Sequence, residues 1–180
     1  MTLGTMTQAY GEPSYWDNRH AQEPGPFDWY QKYPALAPLL HLYIPTHHRL
    51  LVVGCGTSAF SEGMVDDGYV DVVNIDISSV AIEAIMRKKC SNRPQLKYIK
   101  MDVRDMSAFQ TVSFDAVVDK GTLDSLLEVI HDQMLLRCLR RLEDYIWSAN
   151  LSLTLVEKFI VMYNKTPFDR KTSVRGKFWK

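Results

Sequence analysis

Apolar residues fall into a regular rhythm only from residue 49 onward. Leu50 to Val53 is a short continuous apolar run that stops at Gly54-Cys55-Gly56. A run of that length bounded by turn formers predicts a strand buried on both faces. Ser58 is placed to cap a following helix that carries Phe60, Met64 and Val65, and Gly68 ends it. Three more strands follow. Val70 to Ile75 is rich in β-branched residues and ends at Asp76, after which Ser78 or Ser79 caps a helix holding Val80, Ile82, Ile85 and Met86. Leu96 to Met101 ends at Asp102. Phe114 to Val118 ends at Asp119 and leads into a longer helix with Leu123, Leu126, Leu127, Ile130, Leu135, Cys138, Leu139 and Leu142.

Residues 1–48 are different. Tyr10, Tyr15, Trp16, Phe27, Trp29, Tyr30, Tyr33 and Tyr43 are interrupted by Pro13, Pro24, Pro26, Pro34, Pro38 and Pro45. So broken an aromatic segment predicts an irregular prelude that packs over something else. Within it, Pro34 to Leu42 predicts a short amphipathic helix with Leu36, Leu39 and Leu40 on one face.

Strands alternating with helices imply right-handed βαβ units. The expected fold is therefore α/β, with a mostly parallel sheet covered by helices on both faces. Ligands of such sheets sit beyond the carboxyl ends of the strands. All four predicted strands end on a glycine or an aspartate, so the chemistry is expected there.

Composition narrows the function classes. A length of 180 residues suits one domain, here divided into an aromatic cap (1–48), a ligand-binding core (49–128) and a divergent end (129–180). The 21 basic residues balance the 21 acidic ones, which argues against a nucleic-acid groove, because phosphate neutralisation dominates such binding. The runs Arg87-Lys88-Lys89 and Arg137, Arg140, Arg141 read as solvated helix faces. Three cysteines, Cys55, Cys90 and Cys138, without CxxC spacing indicate neither a disulfide framework nor a metal site. No secretory leader and no long apolar span is visible, so the expected setting is reducing and cytoplasmic, away from membranes.

The strand ends carry the candidate chemistry. Gly54 and Gly56 let the backbone turn sharply and approach a ligand, with free helix amides beyond, although a tight turn without a ligand has the same pattern. Asp76, twenty residues after Gly56, can accept from both hydroxyls of an adenosine-type ribose; as a bare helix N-terminal acid it would also be stabilising. To this point NAD and S-adenosylmethionine are equally compatible. In KMDVRDM, residues 100–106, Asp102 beside Val103 suits an adenine whose amino group donates to a carboxylate. FDAVVDKGTLDSL, residues 114–126, ends its strand with Asp119-Lys120-Gly121, and no second phosphate-binding feature accompanies it.

The ordered set VVGCGTS, VVNIDIS, MDVRDM and FDAVVDKGTLDSL resembles motifs I to IV of class I S-adenosylmethionine-dependent methyltransferases. YWDNRH (Tyr15 to His20) followed by FDWY (Phe27 to Tyr30) is similar to the methyltransferase-like group that includes the lysine methyltransferases of translation elongation factor 1-alpha. The resemblance covers residues 15 to about 128. It implies a Rossmann-like class I fold, S-adenosylmethionine as cofactor and a protein lysine as acceptor, with an elongation factor as one pointer. It implies that Gly54 lies under the methionine part, Asp76 with Ile77 holds the ribose, Asp102 with Val103 holds the adenine, and Lys120 completes the pocket. Trp16 and Trp29 match aromatics that close over the cofactor, and His20 stands where the family usually has Tyr. Arg19 is a candidate partner for the cofactor carboxylate. Asp119 is the candidate to orient the acceptor amine or take its proton.

The end of the chain departs from the family. Seven strands are usual there, the last two an antiparallel hairpin, and a glycine turn precedes the fifth. No glycine occurs between Gly121 and Gly176, and 52 residues follow Glu128. Leu151 to Val156 or Lys158 to Tyr163 can supply one or two strands. The sequence therefore fits a compact variant of five or six strands, or a truncated or alternatively spliced product altered from about Val129. The second reading is preferred, because Arg170 to Lys180 lacks apolar periodicity. On that reading the sheet lacks part of its C-terminal strands, and a catalytically silent cofactor-binding or regulatory fragment is the rival to an active enzyme. An NAD-dependent oxidoreductase fits the Asp102 and Lys120 motifs poorly.

Overall fold

β1 (Arg49–Val53) is buried at every position after Arg49 and is flanked on both sides. β2 (Asp71–Asp76) pairs with it in parallel from Arg49↔Asp71 to Val53↔Ile75. β4 (Ala116–Asp119) pairs with its other edge from Leu50↔Ala116 to Val53↔Asp119. β3 (Leu96–Lys100) extends the sheet beyond β2, and β5 (Phe159–Val161) beyond β4, giving the order β3-β2-β1-β4-β5 with all pairs parallel. The helices are α1 (Pro13–Gln22), α2 (Tyr33–Tyr43), α3 (Phe60–Asp66), α4 (Ser79–Lys89) and α5 (Thr122–Leu127). These elements come from a computed structural model that describes residues 9–23, 25–89, 93–127 and 159–161.

The continuous apolar strands are explained by burial on both faces. Successive strand side chains point to opposite sides. Leu50, Val52 and Val72 therefore pack with Leu36 and Leu40 of α2, Phe60 and Met64 of α3, and Ile82 and Ile85 of α4. Leu51, Val53, Val73 and Val117 face the other way, onto Val103, Met106, Phe114 and Leu123. Chain order reverses at β1, since β2 and β4 leave it in opposite directions. The crevice beyond the carboxyl ends of β1 and β4 is thus the expected ligand position.

The predicted α/β fold with a mostly parallel sheet is what forms. Of the two predicted caps, the one at α4 forms: Ser78, the first of the two candidates there, accepts from the Ala81 amide at 3.1 Å. At α3 the cap position falls one residue later, on Ala59, and Ser58 Oγ accepts from the Phe60 amide at 2.9 Å in the turn that precedes it. The prelude is not irregular, because it folds as α1 and α2. α1 has no apolar stripe to announce it, and His20 is its buried residue. Pro13 favours its first turn, where a missing N–H costs nothing. β4 begins two residues later than predicted and β3 ends one earlier. Of the two late strand candidates, Lys158 to Tyr163 contains β5, whereas Leu151 to Val156 lies outside the described residues. So do the terminal hairpin, the tail from Arg170, and the helix predicted beyond Leu127.

Candidate functional site

After Val53 the backbone enters the left-handed region at Gly54 (φ +61°) and again at Gly56 (φ +51°). The two glycines are needed for different reasons. A Cβ on Gly54 would sit 1.7 Å from Thr122 Oγ1, whose hydroxyl donates to the Val53 carbonyl at 3.1 Å. The start of α5 therefore packs directly on the turn. A Cβ on Gly56 would meet only the edge of the His20 ring, at 3.5 Å.

Asp76 holds this turn from β2. Its Oδ2 accepts from the Gly56 amide at 2.7 Å and its Oδ1 from the Ser78 amide at 2.8 Å. Burial pushes its pKa up, an effect only partly offset by those two amides and by His20. His20 is buried in turn, and desolvation lowers its pKa against the pull of Asp76. The Trp16 ring stacks 6.2 Å from the imidazole, and Trp16 Nε1 donates to the Tyr10 carbonyl at 2.8 Å.

On the far side, Lys120 leaves the end of β4 and reaches the N-terminal region. Its Nζ donates to the Trp29 carbonyl at 2.9 Å and lies 3.3 Å from the Asp28 carboxylate, with both side chains nearly buried. Burial lowers the Lys120 pKa, opposed by Asp28. Ser58 Oγ donates to the same Asp28 carboxylate, and Thr57 Oγ1 donates to the Gly25 carbonyl at 2.9 Å. At the third strand end, Asp102 is gripped by Arg104, whose Nη2 is 2.6 Å from Oδ2 and whose amide donates to Oδ1 at 2.8 Å.

An open cleft of about 980 Å³, its solvent mouth included, lies between these groups. Trp16, His20, Trp29, Gly54, Asp76, Ile77, Asp102, Val103 and Lys120 all line it. Residues 50–145 match the methyltransferase domain family. The chain belongs to that family. The bovine (Bos taurus) eEF1A lysine and N-terminal methyltransferase is 42% identical to it over 127 residues, which make up 69% of this chain and 18% of that protein. The bovine EEF1A lysine methyltransferase 4 is 40% identical over 120 residues, 66% of this chain and 46% of that protein. The chain thus spans less than half the length of either relative. Among solved structures, a SAM-dependent methyltransferase of Methanosarcina mazei superposes with a TM-score of 0.54 at 24% identity, over 67% of this chain and 54% of its own. At that identity the likeness is one of fold.

Two candidates stand apart from the cleft of this methyltransferase domain. Asp119 does not line it: the side chain is fully buried, and its carboxylate accepts from the Leu123 amide at 3.2 Å, at the start of α5. Arg19 does not line it either, and its guanidinium lies against aromatic rings. Conversely, Tyr10, Phe27, Met101 and Thr122 line the cleft without having been singled out for it. Asp17, Asp28, Thr57 and Ser58, which fasten the N-terminal region down, also carried no signal as ties, because their partners lie 30 or more residues away. Among the described residues, no group of His, Cys, Asp or Glu could hold a metal ion, and no helix is long and apolar enough to cross a membrane.

Proposed function

We propose that this chain binds S-adenosylmethionine in the cleft and transfers its methyl group to a protein lysine side chain. The observation that carries the reading is the convergence of Asp76, Asp102 and the Gly54–Gly56 turn, at three consecutive strand ends, under Trp16 and Trp29. The residues fit such a donor. A carboxylate offers about four acceptor positions, and Asp76 spends two on backbone amides, leaving room for ribose hydroxyls. Gly56 leaves the floor of the cleft open beside it, Ile77 flanks the ribose, and Asp102 with Val103 takes the adenine.

When bound, the donor supplies a methyl group on a sulfonium, and the acceptor nitrogen forms the new bond with its lone pair as the sulfur–methyl bond breaks. The protein's part is to align the two and exclude water. Trp16 and Trp29 supply the cover, and Lys120 holds it in register by fixing the Trp29 carbonyl. An acceptor ammonium buried against these rings has its pKa depressed and loses its proton more readily. We assign Asp119 to positioning, since it holds the α5 amide behind Lys120 and the Gly54 turn.

The relatives' names support an acceptor in eEF1A, and the balanced charge suits a protein partner better than nucleic acid. We read the chain as one domain, with residues 1–48 as cap and 49–128 as donor-binding core, acting in the cytoplasm. Calorimetric titration of the full chain with S-adenosylmethionine, followed by transfer of labelled methyl to bacterially expressed eEF1A and peptide mapping, tests the proposal. Absence of donor binding overturns it. Binding without transfer to eEF1A or to cell lysate favours a silent donor-binding module instead.

A further inference from the structure

Two pieces of the N-terminal region close over the cleft, each fastened separately. α1 is docked on the start of α4, where Asp17 Oδ1 accepts from Ser78 Oγ at 2.7 Å and from the Val80 amide at 3.2 Å. Residues 25–30 are fastened from the other side by Thr57, Ser58 and Lys120. Each piece contributes rings to the lining of the cleft, Trp16 from α1, and Phe27 with Trp29 from the 25–30 segment. One cation touches all three. The Arg19 guanidinium carbon lies 6.0 Å from the centroid of Trp16, 5.2 Å from that of Phe27 and 5.1 Å from that of Trp29. Arg19 is not among the residues that line the cleft, and its side chain is half-buried against these rings. The nearby Glu23 carboxylate is 4.0 Å away and largely exposed, a pairing too weak to fix the side chain.

We infer that Arg19 is a positioning residue, a cationic clasp that joins α1 to the 25–30 segment through their aromatic faces and sets the lid over the methyl donor. Ring faces carry the negative part of the aromatic quadrupole. A guanidinium is weakly hydrated and planar, so it exchanges water for such faces at low cost. Because the rings belong to pieces anchored at different edges of the crevice, a cation shared between them couples their positions. The donor side of this inference rests on the function proposed above. The clasp itself is readable without any ligand.

The test uses the full chain with Arg19→Met, which keeps length and loses charge, Arg19→Gln as a polar uncharged second variant, and Arg19→Lys, which keeps charge. Hydrogen exchange of the free protein is expected to quicken about tenfold at residues 13–30 in Arg19→Met and Arg19→Gln, from loss of the cation–π contacts, with β1 and β2 unchanged and Arg19→Lys intermediate. S-adenosylmethionine, followed by stopped-flow tryptophan fluorescence, is expected to leave the two uncharged variants about tenfold faster than wild type. Wild-type exchange in both uncharged variants overturns the clasp. Equal effects in all three variants overturn the charge as its cause. Faster exchange with an unchanged donor off-rate overturns the link to the donor. A wild type that binds no donor, yet shows the exchange difference, keeps the clasp and overturns both the donor half and the function on which it rests.

Discussion

The two glycines of the first turn look alike in the sequence and differ in what surrounds them. Gly54→Ala combines a positive φ, costing about 1 kcal/mol, with a collision against Thr122 that overpacking data put at about 1–3 kcal/mol. Gly56→Ala carries only the backbone part, about 1 kcal/mol. Urea denaturation is expected to rank them in that order, and equal losses would show that Thr122 gives way. His20 yields a second expectation at this scale. Burial lowers its pKa below the ordinary 6.5, so the unfolded chain takes up a proton at a higher pH than the folded one. Stability is then complete above 6.5 and declines as pH falls from there toward the folded value. Relative to His20→Gln, the wild type is expected to lose more stability on acidification from neutral pH to about pH 5. Parallel urea midpoints across that range would contradict the lowered value. The strand-end residues Gly54, Asp76, Asp102 and Lys120 could be picked out from sequence, because each follows an apolar run. Asp119 could be picked out on the same ground, yet the structure buries it against the start of α5, since which way a residue at a strand end faces depends on the twist and on the helix that follows.

Among the elements, the N-terminal helices matter most for the site. α1 gains its place from Asp17, which caps α4 across 61 residues of sequence. Burial raises the Asp17 pKa, but hydrogen bonds from Ser78, Val80 and Ser79 outweigh it and hold the carboxyl below its ordinary value. Its contribution is therefore present above the ordinary 3.8 and is lost as pH falls through the folded value. Asp17→Ala is expected to cost about 1 kcal/mol, the usual worth of a helix cap, and to weaken donor binding by loosening α1. A melt showing no loss would mean that α1 is held by its other contacts. The 25–30 segment depends on Lys120. Lys120→Met leaves Asp28 charged and nearly buried without its cation, which is expected to cost roughly 3–5 kcal/mol. Asp28→Asn in the same chain should restore part of that, a coupling measurable in a double-mutant cycle. Neither tie is written in a local pattern. An amphipathic helix advertises itself by its period, whereas α1 is polar on most sides and is stabilised by what it touches.

For the whole molecule, β5 decides whether β4 is an edge. β4 is buried at all four positions, and its outer ladder is filled by residues 159–161. A chain ending at residue 158 is expected to expose that ladder, melt earlier and associate, because an unpaired apolar edge is a template for another strand. A monomeric product with an unchanged melting midpoint, by sedimentation and calorimetry, would show β5 to be dispensable. β5 falls inside Lys158 to Tyr163, one of two apolar stretches that the sequence offers for a late strand, and a three-residue parallel strand is too short for period alone to choose between them. Local order along the chain, by contrast, is enough to specify the α/β class, the four strands β1 to β4 among the described residues, the Ser78 cap and nearly all the cleft's strand-end residues. Those features follow from side-chain period and turn chemistry, which act between near neighbours. The lid was settled by tertiary contacts: α1 on α4, the 25–30 segment on Lys120, and Arg19 across both. Their partners are far apart in sequence, and only packing against the finished sheet gives a polar helix and a proline-rich strap the buried partners that hold them in one place.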